Sequence, residues 1–284
     1  MALETTLLVH GVPRHEALGL CRQLFDDVRR AGAEPALVGV VRGEAVVGME
    51  LSELEVLLSE PGVPKVNTAN LGLALHRGQS AATTVSTTME LCAEAGVQVF
   101  ATGGLGGVHA GPFDVSADLI ALSRFPVAVV SSGVKAILDV RATREALETL
   151  GVPVVGFRTD AFPAFYLRES GCTVDARFDD LGALGAYVRA ELRRTGRGVL
   201  VANPPPEDVA VAPEDWARWL AEAERRAGPV SGRDVTPAVL AALHEVSGGA
   251  TLRANIALVR SNARLAGRLR REMSRLDCQE LMSS

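Results

Sequence analysis

Short apolar runs alternate along this chain with longer segments of helical periodicity, and this alternation restricts the fold more than any other feature of the sequence. Four of the runs are rich in Val, Ala, Leu and Phe, at residues 97–101, 125–130, 152–157 and 198–202. Apolar runs of this length are typical of parallel strands that are buried on both faces. Since helical segments separate the strands, we expect an α/β/α layered fold with a largely parallel central sheet and helices on both faces.

The remaining elements are predicted from the same periodicities and from capping and turn residues. The last third of the chain is expected to be helical, and no linker or repeat interrupts the pattern, so residues 1–284 are predicted to form a single α/β domain. Glu4 is expected at the beginning of a strand, Ser52 in the capping box that starts a helix, and Asp114 as the N-cap of another helix. Further strands are predicted at residues 5–9, 35–41 and 45–49, and helices at residues 14–31, 52–60, 83–95, 114–122, 143–150, 181–194, 213–227, 237–246 and from 251 onwards.

Composition and charge exclude several classes of function. The formal net charge of −5 argues against a nucleic-acid-binding protein, which needs a basic surface. The four cysteines are far apart in the sequence, which suits neither a zinc site nor a disulfide scaffold. No apolar run approaches the roughly 20 residues of a membrane span, and the first residues lack the pattern of a signal peptide. We therefore expect a cytoplasmic protein with reduced thiols and no membrane partner.

Two lysines stand out because arginine supplies nearly all of the positive charge. Of the 29 basic residues, only Lys65 and Lys135 are lysines. Unlike arginine, a desolvated lysine can lose its proton near neutral pH and act as a nucleophile or base. Lys135 follows the run 125–130 through a turn of small residues that is predicted to lead into a helix. It is therefore expected near the carboxyl end of a strand, where open α/β sheets bind ligands. Codon bias that happens to leave two lysines is the alternative explanation.

Further candidate residues lie at other predicted strand ends and helix starts. The hydroxyl-rich residues 83–88 offer donors to a phosphate, although they also serve as ordinary helix caps. The glycine-rich residues 102–109 do not have the spacing of a dinucleotide-binding loop, but they permit close backbone approach or an anion-binding nest. Asn203 ends another strand with an amide that can donate and accept. Asp114 and Asp118 suit a hard divalent cation, or simply a helix cap followed by an acid in the first turn.

Taken together, several of these segments resemble the pseudouridine-5′-phosphate glycosidase family, also described as indigoidine synthase A-like. The resemblance extends over nearly the whole chain, and the motifs occur in the family's order. The matching segments are Ala2-Leu3-Glu4-Thr5-Thr6 with His10-Gly11, residues 101–109, residues 113–119, Gly133-Val134-Lys135-Ala136-Ile137-Leu138-Asp139 and Val201-Ala202-Asn203-Pro204. The resemblance implies an α/β/α fold, a homotrimer and a divalent metal, usually Mn²⁺.

The resemblance also implies roles for individual residues. Lys135 matches the family's lysine nucleophile, Glu4 its acid/base glutamate and Asp114 its metal-binding aspartate. Lys65 matches a second lysine that contacts the sugar phosphate, and Asn203 falls where the family holds the base. The other implied substrate contacts are Thr84, Val85, Gly103, Gly104, His109, Ser116, Ala117 and Asp118.

These implied roles fit a reaction that needs an unprotonated lysine. A C–C glycosidic bond has no leaving oxygen to protonate, so breaking it requires an electron sink at C1′. The amine of Lys135 is expected to open the ribose and hold C1′ as an iminium, while Glu4 moves a proton to or from the carbon nucleophile. One direction releases a base and ribose 5-phosphate, and the other joins ribose 5-phosphate to a carbon-nucleophile acceptor.

Two departures from the family pattern concern this acceptor. Ala110-Gly111-Pro112 stands where the family commonly has an arginine and a longer loop, and Thr68-Ala69-Asn70-Leu71 replaces an Arg-Arg-Asp-Leu run. Both changes remove large, positively charged side chains near the expected pocket. Ordinary variation of loops within a family is the alternative explanation.

The family's prealnumycin C-glycosynthase branch couples ribose 5-phosphate to a flat polycyclic acceptor. We therefore favour a C-glycosynthase of antibiotic biosynthesis that acts on an aromatic polyketide. Pseudouridine-5′-phosphate glycosidase activity, which releases uracil, is the alternative. A Schiff-base aldolase and a non-catalytic sugar-phosphate sensor are hypotheses from other classes.

Overall fold

A central eight-stranded sheet organises this computed structural model, which describes residues 1–109, 114–228 and 235–283. In chain order the strands are β1 (Ala2–Glu4), β2 (Ala36–Val41), β3 (Glu44–Val47), β4 (Lys65–Val66), β5 (Ala82–Thr83), β6 (Val99–Ala101), β7 (Ala128–Ser131), β8 (Val154–Phe157), β9 (Ala176–Phe178) and β10 (Val199–Ala202). Their order in the sheet is β3-β2-β1-β6-β7-β10-β8-β9, and all neighbours are parallel except β2 and β3. Strands β4 and β5 form a separate parallel pair. The predicted largely parallel sheet is confirmed.

Helices cover both faces of the sheet. In chain order they are α1 (Thr6–His10), α2 (Arg14–Arg30), α3 (Leu51–Ser59), α4 (Leu71–His76), α5 (Val85–Glu94), α6 (Ala117–Arg124), α7 (Val140–Thr149), α8 (Leu181–Thr195), α9 (Pro213–Ala227), α10 (Val235–Val246) and α11 (Ala250–Ser283). One hydrophobic cluster contains residues of α2, α3 and α8 to α11, and the second contains residues of α4 to α7. Successive strand residues alternate between the two clusters, since Leu3 and Val130 belong to the first while Ala2 and Val129 belong to the second. The α/β/α layering and the helical C-terminal third are confirmed.

The first residues of the chain differ from the prediction. Strand β1 ends at Glu4, and helix α1 replaces the strand predicted at residues 5–9. A short apolar run is compatible with either structure, and here one helical face buries Leu8 against the core. Glu4 therefore lies at the carboxyl end of its strand rather than at the beginning, which is the edge where parallel sheets bind ligands.

The helix predicted from Asp114 begins later than expected. Helix α6 has Ser116 as its N-cap, and the Ser116 hydroxyl accepts a hydrogen bond from the backbone N–H of Asp118 at 3.2 Å. Asp114 precedes the helix and does not cap it. The two aspartates therefore do not form a pair one turn apart on the helix.

Two other helix starts are also corrected. The capping box of α3 joins Glu50 to Glu53, so Ser52 is not its N-cap. The segment after β7 does not turn directly into a helix, because α7 begins only at Val140, with Asp139 as its N-cap. Lys135 therefore lies in a loop between β7 and α7.

The sequence predicts that the chain has no membrane-spanning segment and that its cysteines are reduced. Within the described ranges, no helix has both the length and the apolar character needed to span a membrane. The four cysteines are free: two of them are buried, one is half-buried and one is exposed.

Candidate active site

Adjacent parallel strands bring the first part of the site together at their carboxyl ends. In the sheet register Leu3 of β1 pairs with Ala101 of β6, and Ala101 pairs with Val130 of β7. Glu4 and Thr102 therefore emerge side by side at the same edge. The Thr102 hydroxyl donates a short hydrogen bond to Oε1 of Glu4.

The buried carboxyl group of Glu4 is the most perturbed acid of the site. Only 9% of the residue is exposed, and burial raises the pKa of Glu4 to about 7. The hydrogen bond from Thr102 and the positive charge of Lys135 oppose this rise in pKa, and so does the charge of Lys65. Nearby Asp118 reinforces the rise. An acid with a pKa near 7 can both give and take a proton at neutral pH.

The loop that carries Lys135 is fixed against the glycine-rich segment. The backbone N–H of Lys135 donates to the carbonyl of Leu105 at 3.1 Å, and Leu105 N–H donates to the carbonyl of Gly133 at 2.9 Å. Gly133 has a φ of 76°, and a Cβ at this position would lie 1.8 Å from the carbonyl oxygen of Pro163. Only glycine fits this turn, which places the half-buried Lys135 after β7 and within range of Glu4.

Lys65 reaches the same site from the small β4–β5 sheet. It pairs with Ala82 in the parallel register of β4 and β5. Although the residue is exposed as a whole, desolvation of its ammonium group and the charge of Lys135 lower the pKa of Lys65, while Glu4 opposes this effect. The structure therefore brings together Glu4, Lys65 and Lys135, which are far apart in the sequence.

The side chains of Thr84 and Asp118 form hydrogen bonds with the protein backbone around the start of α5. The Thr84 hydroxyl donates to the carbonyl of Val66 at 3.0 Å and does not cap the helix. One oxygen of Asp118 accepts from the N–H of Ser86 at 3.0 Å, and the other accepts from the N–H of Gly106 at 2.8 Å. Asp118 thus caps the N-terminus of α5, where Val85 is buried, and ties it to the glycine-rich segment.

Gly103 and Gly104 are packed against an aromatic ring. A Cβ at Gly104 would lie 2.5 Å from Cδ2 of Phe165, and one at Gly103 would lie 3.1 Å from its Cε2. None of the glycines between residues 103 and 107 has a positive φ, whereas an anion nest needs alternating right- and left-handed residues. The suggested nest is therefore not formed, and the packing of Phe165 explains why glycine stands at these positions.

The predicted metal-binding residue lies at the exposed rim. His109 N–H donates to the carbonyl of Asp114 at 2.9 Å, and its Nδ1 is 3.9 Å from the Asp114 carboxylate. Asp114 is exposed, while Ser116 and Ala117 are half-buried. Among the residues that the structure describes, no group of three potential His, Cys, Asp or Glu ligands surrounds a common point. The altered loop at residues 110–112 lies outside the described residues.

The side-chain amide of Asn203 contacts helix α11. Its Nδ2 donates to Oδ1 of Asn262 at 2.8 Å and to the hydroxyl of Ser261 at 3.2 Å, both in α11. The link to the site is indirect, because Asn262 in turn donates to the carbonyl of Thr102 at 2.8 Å.

Two buried asparagines of α11 were not anticipated from the sequence. Asn262 is fully buried and joins three strand ends through Thr102, Ser132 and Asn203. Asn255 is also buried, and its Oδ1 has no hydrogen-bond partner within the described part of the chain. The two amides are seven residues apart, so they lie on the same face of a helix that otherwise buries apolar side chains. This spacing is the signal that could have identified them.

Replacing Asn262 by alanine is expected to destabilise the fold by about 2–3 kcal/mol, because several buried hydrogen-bonding groups lose their partner together. Urea denaturation measures this change. Asn203→Ala is the matched control and should cost less, since Asn203 is only half-buried. An equal or smaller cost for Asn262→Ala would show that Asn262 does not hold the strand ends.

Comparisons with known proteins find a matching family model and similar sequences. Residues 1–272 match the family model described as "Indigoidine synthase A like protein". A pseudouridine-5′-phosphate glycosidase of Thermus thermophilus is 47% identical over 272 residues, which cover 95% of each chain. A protein of the same name from Symbiobacterium thermophilum is 45% identical over 273 residues, covering 93% of this chain and 89% of the relative.

Solved structures show the same fold. The crystal structure of an indigoidine synthase A-like protein from Thermotoga maritima superimposes with a TM-score of 0.88 at 41% identity, covering 95% of this chain and 91% of the other. The prealnumycin C-glycosynthase AlnA, solved in complex with ribulose 5-phosphate, gives a TM-score of 0.90 at 37% identity, covering 98% and 92%. The chain therefore belongs to the indigoidine synthase A-like family.

Proposed function

We propose that this protein is a pseudouridine-5′-phosphate glycosidase, which breaks the C–C bond between C1′ of ribose 5-phosphate and uracil. The observation that carries the proposal is the buried Glu4, whose pKa is raised to about 7 beside the charges of Lys135 and Lys65. The relatives that share 45–47% identity are named glycosidases, whereas the glycosynthase shares 37%. The comparisons therefore support uracil as acceptor better than the polyketide that was favoured from the sequence.

In this proposal Lys135 supplies the electron sink. The nitrogen lone pair of its amine bonds to C1′ as the bond from C1′ to the ring oxygen breaks, and the ring oxygen takes up a proton, which opens the ribose. The nitrogen lone pair then forms a C1′ iminium as the electron pair of the C–C bond passes to the base carbon. Water hydrolyses the iminium, releases ribose 5-phosphate and restores the amine. Arginine could not perform these steps because it keeps its proton.

Glu4 moves the proton in the same proposal. The base carbon must gain a proton when the C–C bond breaks, and it must lose one in the reverse direction. A carboxyl group with a pKa near 7 exists in both forms at neutral pH, so it can serve either direction. The hydrogen bond from Thr102 orients the carboxyl group towards this task.

We place the 5-phosphate between Lys65 and the start of α5. The positive end of a helix favours an anion, and the Thr84 side chain does not occupy this end, where Asp118 accepts from the N–H of Ser86 alone. Lys65 adds the charge of an ammonium group close to Lys135. In this arrangement the backbone N–H of Val85 contacts the phosphate, while Gly103 and Gly104 border the sugar.

A divalent metal, with Mn²⁺ as the proposed ion, would be held at Asp114. Its exposed carboxylate is a suitable ligand for a hard cation, and water molecules would complete the coordination. When bound, the ion would supply positive charge and ordered water. We also propose a homotrimer on the basis of the family resemblance.

The proposed function predicts rapid release of uracil from pseudouridine 5′-phosphate in the presence of Mn²⁺. Uracil and ribose 5-phosphate should appear in equal amounts, as measured by chromatography, and EDTA should lower the rate until Mn²⁺ is restored. Release of neither product would contradict the glycosidase proposal.

A synthase with another carbon acceptor is the second candidate, and the TM-score of 0.90 with the prealnumycin C-glycosynthase favours it over unrelated reactions. It predicts that no uracil is released although borohydride still traps a ribose adduct. An aldolase would instead join the trapped sugar to an aldehyde. A sensor would bind ribose 5-phosphate without forming any adduct.

A further inference from the structure

Five arginines line a cavity at the same edge of the sheet as the candidate active site. The cavity has a volume of about 650 Å³ and lies between α2, α11 and the segments that follow β8 and β10. Its arginines are Arg30, Arg158, Arg168, Arg264 and Arg268. Among the described residues that line it, Asp27 is the one carboxylate. Positive charge is thus concentrated locally in a chain whose formal net charge is −5.

Few of these arginines are neutralised by the protein. Asp27 is already bound by Arg260, with 2.7 Å between Nε and Oδ2, and it also lies 3.4 Å from Arg264. Arg168 forms an ion pair with Glu207 at 3.3 Å. In the part of the chain that the structure describes, the lining arginines without an ion pair are Arg30, Arg158 and Arg268.

The guanidinium groups of these arginines lie close enough to repel one another. Arg158 and Arg268 both lie over the ring of Phe157, at 5.1 and 6.0 Å from its centroid. Although Arg268 is exposed as a whole, desolvation of its guanidinium group and the charges of Arg158, Arg271 and Arg264 lower the pKa of Arg268. Arg158 also has a φ of 57°, a conformation that disfavours any residue with a Cβ. Strained residues of this kind concentrate at sites that bind ligands.

The cavity adjoins the candidate active site and shares Asn203 with it, but it does not include the catalytic pair of that site. Neither Glu4 nor Lys135 lines it. Asn203 does, and its amide is joined through Asn262 to the backbone of Thr102. Both sites therefore use the carboxyl ends of the parallel strands, where this class of sheet binds its ligands.

We propose that the cavity binds a small polyanion, with two or more phosphate or carboxylate groups, at a site distinct from that of ribose 5-phosphate. Guanidinium groups recognise both kinds of anion through paired, charge-assisted hydrogen bonds. Three arginines without an ion pair match more than one negative charge, and the volume lies within the usual range for small-molecule sites. The proposal does not depend on the reaction that the protein performs.

Calorimetric titration of the full chain with inorganic pyrophosphate, and separately with citrate, tests the proposal. At least one probe should bind saturably, with one site per chain and an affinity that falls as salt is added. The double variant Arg158→Gln/Arg268→Gln should bind at least about tenfold more weakly, because it loses charged hydrogen-bond donors. The matched control is Arg218→Gln/Arg225→Gln, which removes the same charge from α9 and should bind within about twofold of the parent.

Three results would overturn the proposal. One is the absence of saturable binding for both probes, and another is equal affinity in the cavity variant and the α9 control. The third is loss of binding in Lys65→Gln with no change in the cavity variant, since the anion would then occupy the candidate active site. Thermal unfolding checks that each variant folds. If the double variant does not fold, the single substitution Arg30→Gln, at an exposed arginine of the cavity, takes its place. If the protein releases no uracil, the glycosidase proposal fails, but the binding experiments still test the anion site on their own.

Discussion

Replacement of Lys135 by alanine is expected to lower the rate of uracil release from pseudouridine 5′-phosphate by at least about a thousandfold, because the amine that bonds to C1′ is removed. The same variant should form no adduct when borohydride is added with ribose 5-phosphate, whereas the parent protein should gain the mass of the reduced sugar on the peptide that contains Lys135. Chromatography of uracil and mass spectrometry of the digested protein measure the two effects. The half-buried loop position of Lys135 suggests that the substitution leaves the core intact.

Lys135→Arg separates the role of charge from that of the amine. Arginine keeps a positive charge beside Glu4 but cannot form the iminium, so this variant should be as inactive as Lys135→Ala. Lys65→Arg is the matched control. It keeps the charge proposed to hold the phosphate, so it should retain measurable turnover, and borohydride should still modify Lys135. Activity in Lys135→Arg, or an adduct on Lys65, would contradict the assignment.

The fold could be predicted from the sequence because its strands are buried on both faces. The runs at 97–101, 125–130, 152–157 and 198–202 coincide with β6, β7, β8 and β10, except that β7 extends to Ser131, and the strand residues within these runs are apolar or glycine. A strand of this kind is distinguished from a helix by its length and by the small or polar residues that follow it. The same argument placed Lys135 after β7.

Other parts of the site depend on contacts that a sequence does not display. The apolar pattern of residues 5–9 is too short to distinguish a strand from a short helix. Because these residues are predicted as a strand, Glu4 is predicted at its beginning, whereas it lies at the carboxyl end of β1. Asp114 and Ser116 are both good N-caps, and the sequence alone does not show that Ser116 takes this position. Asn262 acts between strand ends that are more than 50 residues away, so its partners become visible only in the folded chain.

Replacement of Glu4 by glutamine is expected to remove activity and, at the same time, to stabilise the protein above neutral pH. Proton transfer is lost with the carboxyl group, which should lower uracil release by about a hundredfold to ten-thousandfold. The folded protein raises the pKa of Glu4 from 4.5 to about 7. Between these two pH values the unfolded chain has already released the proton of Glu4, whereas the folded protein keeps it. Its stability therefore falls as the pH rises from 4.5 to 7 and remains reduced above 7, by at most about 3 kcal/mol.

Glutamine keeps an oxygen that can accept the hydrogen bond from Thr102 but carries no charge to desolvate. The variant and the parent should therefore have similar free energies of unfolding at pH 4.5, while the variant should be the more stable of the two at pH 8, as measured by urea denaturation at both values. Glu55→Gln makes the same chemical change on the exposed surface of α3 and should not alter the pH dependence. A Glu4→Gln protein that is less stable than the parent at pH 8 would mean that the lysines hold Glu4 as a stabilising anion. The site would then lack the neutral carboxyl group on which the proposed proton transfer depends.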